Sequence, residues 1–200
     1  MIERLQKHED LSHAVEWNIF EGVKDRKPYG DFIEGGVYYG QMKSGKRDGS
    51  GFLYCFTIKK QSILYEGKWK LGTPIKAQCT YIIGNERYKY DGRLDDKYLF
   101  TGIGNWCAEG GDNYVGSLEK GDFHGYGEYT YKDGDKFEGQ WRHDKKHGLG
   151  KYICSDGSYE IGEYKDGKEN GEHTEYSKEG IALEILIYYD GNEIGTRKVN

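Results

Sequence analysis

The chain has 200 residues, with 36% hydrophobic residues, 31 glycines and 19 tyrosines. That composition excludes a large aliphatic core, and the 15% aromatic content excludes a disordered chain, which is poor in aromatic residues. A formal net charge of -5 and a pI near 5.7 argue against nucleic acid as a partner, and no apolar run approaches the roughly 20 residues of a membrane span.

Residues 1–19 are charged, with Ile2, Leu5, Leu11 and Val15 loosely on one helical face. They read as an N-terminal cap, a short helix covering the first open strand edge. A repeat array is expected over residues 20–180, some six to seven hairpins long. Its first copy, Phe20-Glu21-Gly22 with Tyr29-Gly30-Asp31-Phe32, is degenerate. The first clear copy has Tyr38, Gly40 and Met42, then Gly45, Gly49 and Gly51. Tyr65-Glu66-Gly67-Lys68-Trp69 opens the next, in which Lys76 and Gln78 stand where paired glycines belong. The copy at Tyr90-Asp91-Gly92 carries Gly102 and Gly104 one place late.

Two clean copies follow. One has Tyr114, Gly116, Leu118, Gly125, Gly127 and Tyr129, and the other Phe137, Gly139, Trp141, Gly148, Gly150 and Tyr152. Gly116, Gly139 and Gly162 are each 23 positions apart. The copy at Gly162 has Glu160 in place of the leading aromatic and His173 in place of the second paired glycine. Residues 181–200, the most aliphatic stretch, form a degenerate C-terminal hairpin or cap, or else offer an edge to a partner.

Each copy reads as a β-hairpin, since alternation puts Phe137, Gly139 and Trp141 on one strand face. The Asp-Gly pairs at 133, 156, 166 and 190 suit turns of positive φ. Glycine inside a strand marks a close approach to the backbone, here by a ring expected from the neighbouring hairpin. The fold class is all-β: an elongated single-layer antiparallel sheet of stacked hairpins, with a helix only as the N-terminal cap.

Tyr-x-Gly-x-Trp, a glycine turn, Gly-x-Gly and Asp-Gly at a 23-residue period resemble the MORN (membrane occupation and recognition nexus) repeat over residues 37–180. The resemblance implies a free-standing array that binds partners along an aromatic groove. It also implies a scaffold role in cilia or other cytoskeletal assemblies, and lipid binding has been proposed for some arrays.

No catalytic, cofactor or metal site is expected. Gly40-Gln41-Met42-Lys43-Ser44-Gly45-Lys46 nearly spells a phosphate loop, but Arg47 replaces the Mg²⁺-binding hydroxyl and no helix follows. His124 and His147 occupy equivalent places in successive repeats, about 10 Å apart and too distant for one Zn²⁺. Cys55, Cys79, Cys107 and Cys154 lack paired spacing and read as reduced thiols. No apolar signal-peptide segment and no glycosylation sequon occur, which favours a cytoplasmic address, and the resemblance implies the cytoskeleton or a cilium.

Two surfaces are expected. Tyr38, Tyr65, Trp69, Tyr90, Tyr114, Phe137, Trp141 and Tyr164 would line a groove, open because a single layer cannot bury both its faces. Helical or extended segments of other proteins would lie along it. Lys43, Lys46, Arg47, Lys59, Lys60, Lys68, Lys70 and Lys76, against Asp48 and Glu66, give residues 37–76 a net +6 and leave -11 elsewhere. That patch suits an acidic partner, anionic lipid or phosphoinositide, or a second copy joined through the ends of the array. A targeting subunit of an enzyme complex is a further alternative.

Overall fold

A computed structural model describes residues 13–24 and 33–199, and the described residues contain strands and turns but no helix. They fall into two compact units, Met1–Glu109 and Gly110–Asn200. The first holds β1 (Ala14–Phe20), β2 (Ile33–Lys43), β3 (Lys46–Thr57), β4 (Ser62–Lys70), β5 (Thr73–Ile83), β6 (Glu86–Leu94) and β7 (Phe100–Ala108). The second holds β8 (Asn113–Glu119), β9 (Asp122–Thr130), β10 (Lys136–Arg142), β11 (Lys145–Ile153), β12 (Tyr159–Lys165), β13 (Lys168–Tyr176), β14 (Ala182–Tyr189) and β15 (Asn192–Lys198). Within each unit every strand pairs antiparallel with its neighbours in sequence.

The expected N-terminal helix is corrected where it can be compared: Ala14–Phe20 is a strand, paired without a break from Ala14↔Met42 to Phe20↔Gly36. Three of its seven residues are β-branched or tryptophan on one parity, which favours the extended chain. Residues 1–12, the rest of that cap, and the Tyr29–Phe32 motif lie outside the described residues.

One row of glycines crosses the strands of each unit. In the first it runs Gly40↔Gly51↔Gly67, then Ala77, then Gly92↔Gly104. In the second it runs Gly116↔Gly127↔Gly139↔Gly150↔Gly162, ending on His173. The β4–β5 register also shifts an expectation by one residue. Ala77 faces Gly67, while Lys76 and Gln78 point to the other face, where both reach Asp91.

Tight turns join the strands. Ser44-Gly45, Leu71-Gly72, Lys120-Gly121, His143-Asp144, Asp166-Gly167 and Asp190-Gly191 have positive φ at both central residues. That is the twist that matches a hairpin's strands. Two of the four Asp-Gly pairs therefore lie in hairpin turns. In the other two, Gly134 and Gly157 close the links between hairpins, donating to the carbonyls of Tyr131 and Cys154.

In the first unit the glycine face is concave. Phe20 of β1 and Tyr98 of the β6–β7 loop have ring centroids 5.3 Å apart. In a flat sheet five strand spacings, roughly 24 Å, would part β1 from β6. Curling of the strands and the inward fold of the 95–99 loop close that gap. Asp95 sets the loop by accepting from the backbone N–H groups of Lys97 and Leu99.

Candidate functional site

The glycine rows explain where the rings go. Tyr114 lies flat over Gly116 and Gly127, so close that a Cβ on Gly127 would stand 2.4 Å from its hydroxyl. Tyr38 covers Gly40 and Gly51, Tyr90 covers Gly92 and Gly104, and Phe137 covers Gly139 and Gly150 in the same way. The ring thus comes from the same hairpin, two residues before the first glycine, and not from the neighbouring one. Each tyrosine hydroxyl then donates to the carbonyl three residues on: Tyr38 to Gln41 at 3.1 Å, Tyr90 to Arg93 at 2.9 Å and Tyr114 to Ser117 at 2.8 Å. Burial pushes these phenols up, Tyr90 to about 12.

The next hairpin contributes the second column. Trp69 meets Tyr38 edge-on at 5.1 Å, Trp141 meets Tyr114 at 5.6 Å and Tyr164 meets Phe137 at 5.0 Å. These T-shaped contacts are the favoured geometry of aromatic pairs. The indole nitrogens are satisfied, Trp69 donating to the Tyr98 hydroxyl and Trp141 to the Gly127 carbonyl. The expectation of an open groove is therefore corrected. Tyr38, Tyr65, Trp69, Tyr90, Tyr114, Phe137, Trp141 and Tyr164 are 0 to 6% exposed. The single layer buries one face because each ring fills the hollow over its own glycines and the next hairpin's ring closes on its edge.

A third position completes each unit of packing. Phe100 stacks on Tyr90 at 3.9 Å and Phe123 on Tyr114 at 3.7 Å. Twenty-three residues further on stands Lys146, whose ammonium lies 4.6 to 5.5 Å from the ring centres of Tyr131, Phe137, Tyr152 and Tyr164. Burial lowers its pKa, against the raising fields of Glu169 and Glu160, while the ring faces attract the cation. Lining up residues 100, 123, 146 and 169 exposes this substitution in the sequence; reading each copy separately does not.

The copy at Gly162 solves the same problem with other chemistry. A Cβ on Gly162 would stand 2.1 Å from the His173 ring, so the imidazole occupies the hollow that a tyrosine fills elsewhere. Its Nε2 donates to the Glu163 carbonyl at 2.8 Å, the carbonyl three residues after Glu160. Its Nδ1 meets the Glu160 carboxylate at 2.5 Å. Both ring nitrogens face acceptors, which calls for the imidazolium. Burial opposes the charge, but the bonds to Glu160 and the Glu163 carbonyl outweigh it, and the pKa is raised above 6.5.

The eight cations are not brought into one patch. Lys43, Lys46, Arg47 and Lys70 share one hairpin end, where the Gly72 N–H donates to the Arg47 carbonyl. Lys59 and Lys60 lie at the far end of β3, roughly 37 Å of extended chain away. There Lys60 pairs with Glu34. Lys68 and Lys76 face each other on the outward side, and Lys76 pairs with Asp91 at 3.4 Å. The stretch 40–46 is strand and turn, with no helix N-terminus for a phosphate. His124 lies with its ring 5.3 Å from His143, a neighbour the repeat spacing did not single out. Among the described residues no group of His, Cys, Asp and Glu has metal-binding geometry.

Exposed apolar side chains lie on the outward face, opposite the glycine rows. Ile103, Tyr126 and Leu149, the central residues of three Gly-x-Gly triplets, are 67%, 65% and 59% exposed. Val15, Trp17 and Ile19 on β1 share one face, and Val37 and Tyr54 extend it through the register Ile19↔Val37↔Tyr54.

Comparison with known families agrees with this architecture. The pattern described as the MORN repeat matches residues 38–57, 114–136 and 137–159. Repeats of that kind are modules of protein or membrane interaction. A search of curated proteins finds no match.

Proposed function

We propose that this chain, a carrier of MORN repeats, is a non-enzymatic scaffold that holds elongated protein partners in a cytoskeletal or ciliary assembly. The contact surface is the outward face of the hairpins. The observation that carries this reading is the recurrence of Tyr126 and Leu149 at one place in successive repeats of the second unit. Each follows a glycine of positive φ and precedes a glycine of the inward row, so flanking side chains leave it bare. Tyrosine is among the residues that dominate the energy of protein contacts, and the apolar neighbours add buried area around it.

Crosslinking mass spectrometry on the protein purified from its source would name the partner, and titration of that purified partner then tests the face. Tyr126→Ser together with Leu149→Ser should weaken binding at least about tenfold, some 1.4 kcal/mol, with the melting temperature kept. Unchanged affinity in that variant would overturn the reading.

A second reading rests on the cationic hairpin end. Leu71, 62% exposed between Lys70 and Gly72, lies on the hairpin end that carries Lys43, Lys46 and Arg47, its N–H donating to the Asp48 carboxylate. An exposed apolar tip where cations outnumber that one carboxylate fits an anionic bilayer. Flotation with phosphatidylserine vesicles should then succeed at low salt and fail at high salt, and flotation at neither would dismiss it.

A further inference from the structure

The two end strands of the array are built differently. β15 carries Glu193, Arg197 and Lys198, holds a glycine at 195, and pairs with β14 through a register shift between Ile187 and Tyr188. Charges and bulges are among the means by which sheets protect a terminal strand from joining another. β1 has no bulge, and Glu16 is its one charge. Its sequence Ala-Val-Glu-Trp-Asn-Ile-Phe has no lysine, arginine, proline or glycine, and its pairing with β2 is unbroken. Among the described residues no strand covers its other side. Every residue of it except Phe20 is exposed, Trp17 to 72% and Ile19 to 74%.

From this contrast we infer that β1 pairs antiparallel with β1 of a second copy, about a two-fold axis at Trp17. Of the antiparallel registers, that one alone pairs the whole strand with itself. With Trp17 opposite Trp17, Ala14 stands opposite Phe20, Val15 opposite Ile19 and Glu16 opposite Asn18, so all seven residues find a partner. Alternation keeps Val15, Trp17 and Ile19 on one face, and the apolar row Tyr54, Val37, Ile19 continues into Val15 of the second copy. The one charge, Glu16, meets an amide. In-register parallel pairing would set Glu16 beside Glu16, a repulsion that disfavours it. The Trp17 ring leans on Tyr39 of β2, with centroids 4.6 Å apart, and remains 72% exposed. This interface is isologous and closes after two copies. It uses a different surface from the Tyr126 and Leu149 column and stands whether or not that column binds a partner.

The test is charge exchange at the axis, read by light scattering after gel filtration and by analytical ultracentrifugation from micromolar concentration upward. The full chain should be dimeric. Trp17→Lys alone and Trp17→Glu alone should each be monomeric with unchanged circular dichroism and melting temperature, because Trp17 lies on the surface. Mixing the two should restore the dimer, since lysine then faces glutamate across the axis. As an arm that survives misfolding of either variant, Trp17→Cys in a Cys154→Ser background should form a disulfide-linked dimer on mild oxidation, and Leu71→Cys should not. A monomeric full chain, a dimer indifferent to both charges, or a dimer appearing only after residues 1–12 are removed would each overturn the inference.

Discussion

At Gly162 a histidine ring occupies the hollow that Tyr114 and Phe137 fill in the two repeats before it. The exchange involves two positions together: Glu160 has given up the ring and His173 has given up the glycine, and the carboxylate neutralises the imidazolium it faces. Glu169, Tyr164 and Tyr188 also border the ring, so the surroundings carry net negative charge. The folded pKa of His173 is raised, so its stabilisation is complete below the unfolded value of 6.5 and is lost as pH rises through the folded value. Glu160→Tyr with His173→Gly restores the ring-over-glycine pattern and serves as the reference. Urea denaturation of both proteins across pH 5 to 9 should show the wild type losing stability against that variant as pH rises. The loss should be about 1.4 kcal/mol for every tenfold by which folding tightens the hold of His173 on its proton. A difference that stays flat would mean that folding leaves the proton affinity of His173 unchanged.

The hairpin is the scale at which glycine and ring depend on each other. Glycine inside a strand normally weakens it, yet here the row is what admits the rings that make the core. Gly127→Ala forces the Tyr114 ring off both glycines and breaks its bond to Ser117, and should destabilise the second unit by about 2–4 kcal/mol, read from urea midpoints. Ala77 shows that the position is not uniformly strict, for there a methyl group stands in the row between Gly67 and Gly92. Much of this is legible in the sequence. Gly-x-Gly at 125–127 and 148–150 marks the strands, the 23-residue step sets their order, and alternation puts Phe137, Gly139 and Trp141 on one face. What alternation does not say is which face closes. In the first unit, burial of the columns depends on curvature and on Tyr98, a loop residue of positive φ whose partners Phe20, Tyr65 and Trp69 are remote in sequence. Strand β1 passes for helix because Ile2, Leu5, Leu11 and Val15 approximate a helical spacing, while Val15, Trp17 and Ile19 keep the period of two that decides the outcome.

For the chain as a whole, the division of labour between its faces replaces the groove as the organising fact. The inward face is sealed by rings on glycines, and the outward face and the β1 edge hold the apolar surface left for other molecules. The charge asymmetry along the sequence resolves into separate clusters at the two ends of the hairpins, which weakens it as a single docking field. Hydroxyl-radical footprinting of the intact protein, read residue by residue, tests the sealed inward face most directly. The account predicts protection of Tyr38, Tyr65, Tyr90, Tyr114, Phe137, Trp141 and Tyr164, with modification concentrated on Tyr126, Leu149 and Tyr189. Ready modification of the first group in the folded protein would contradict it.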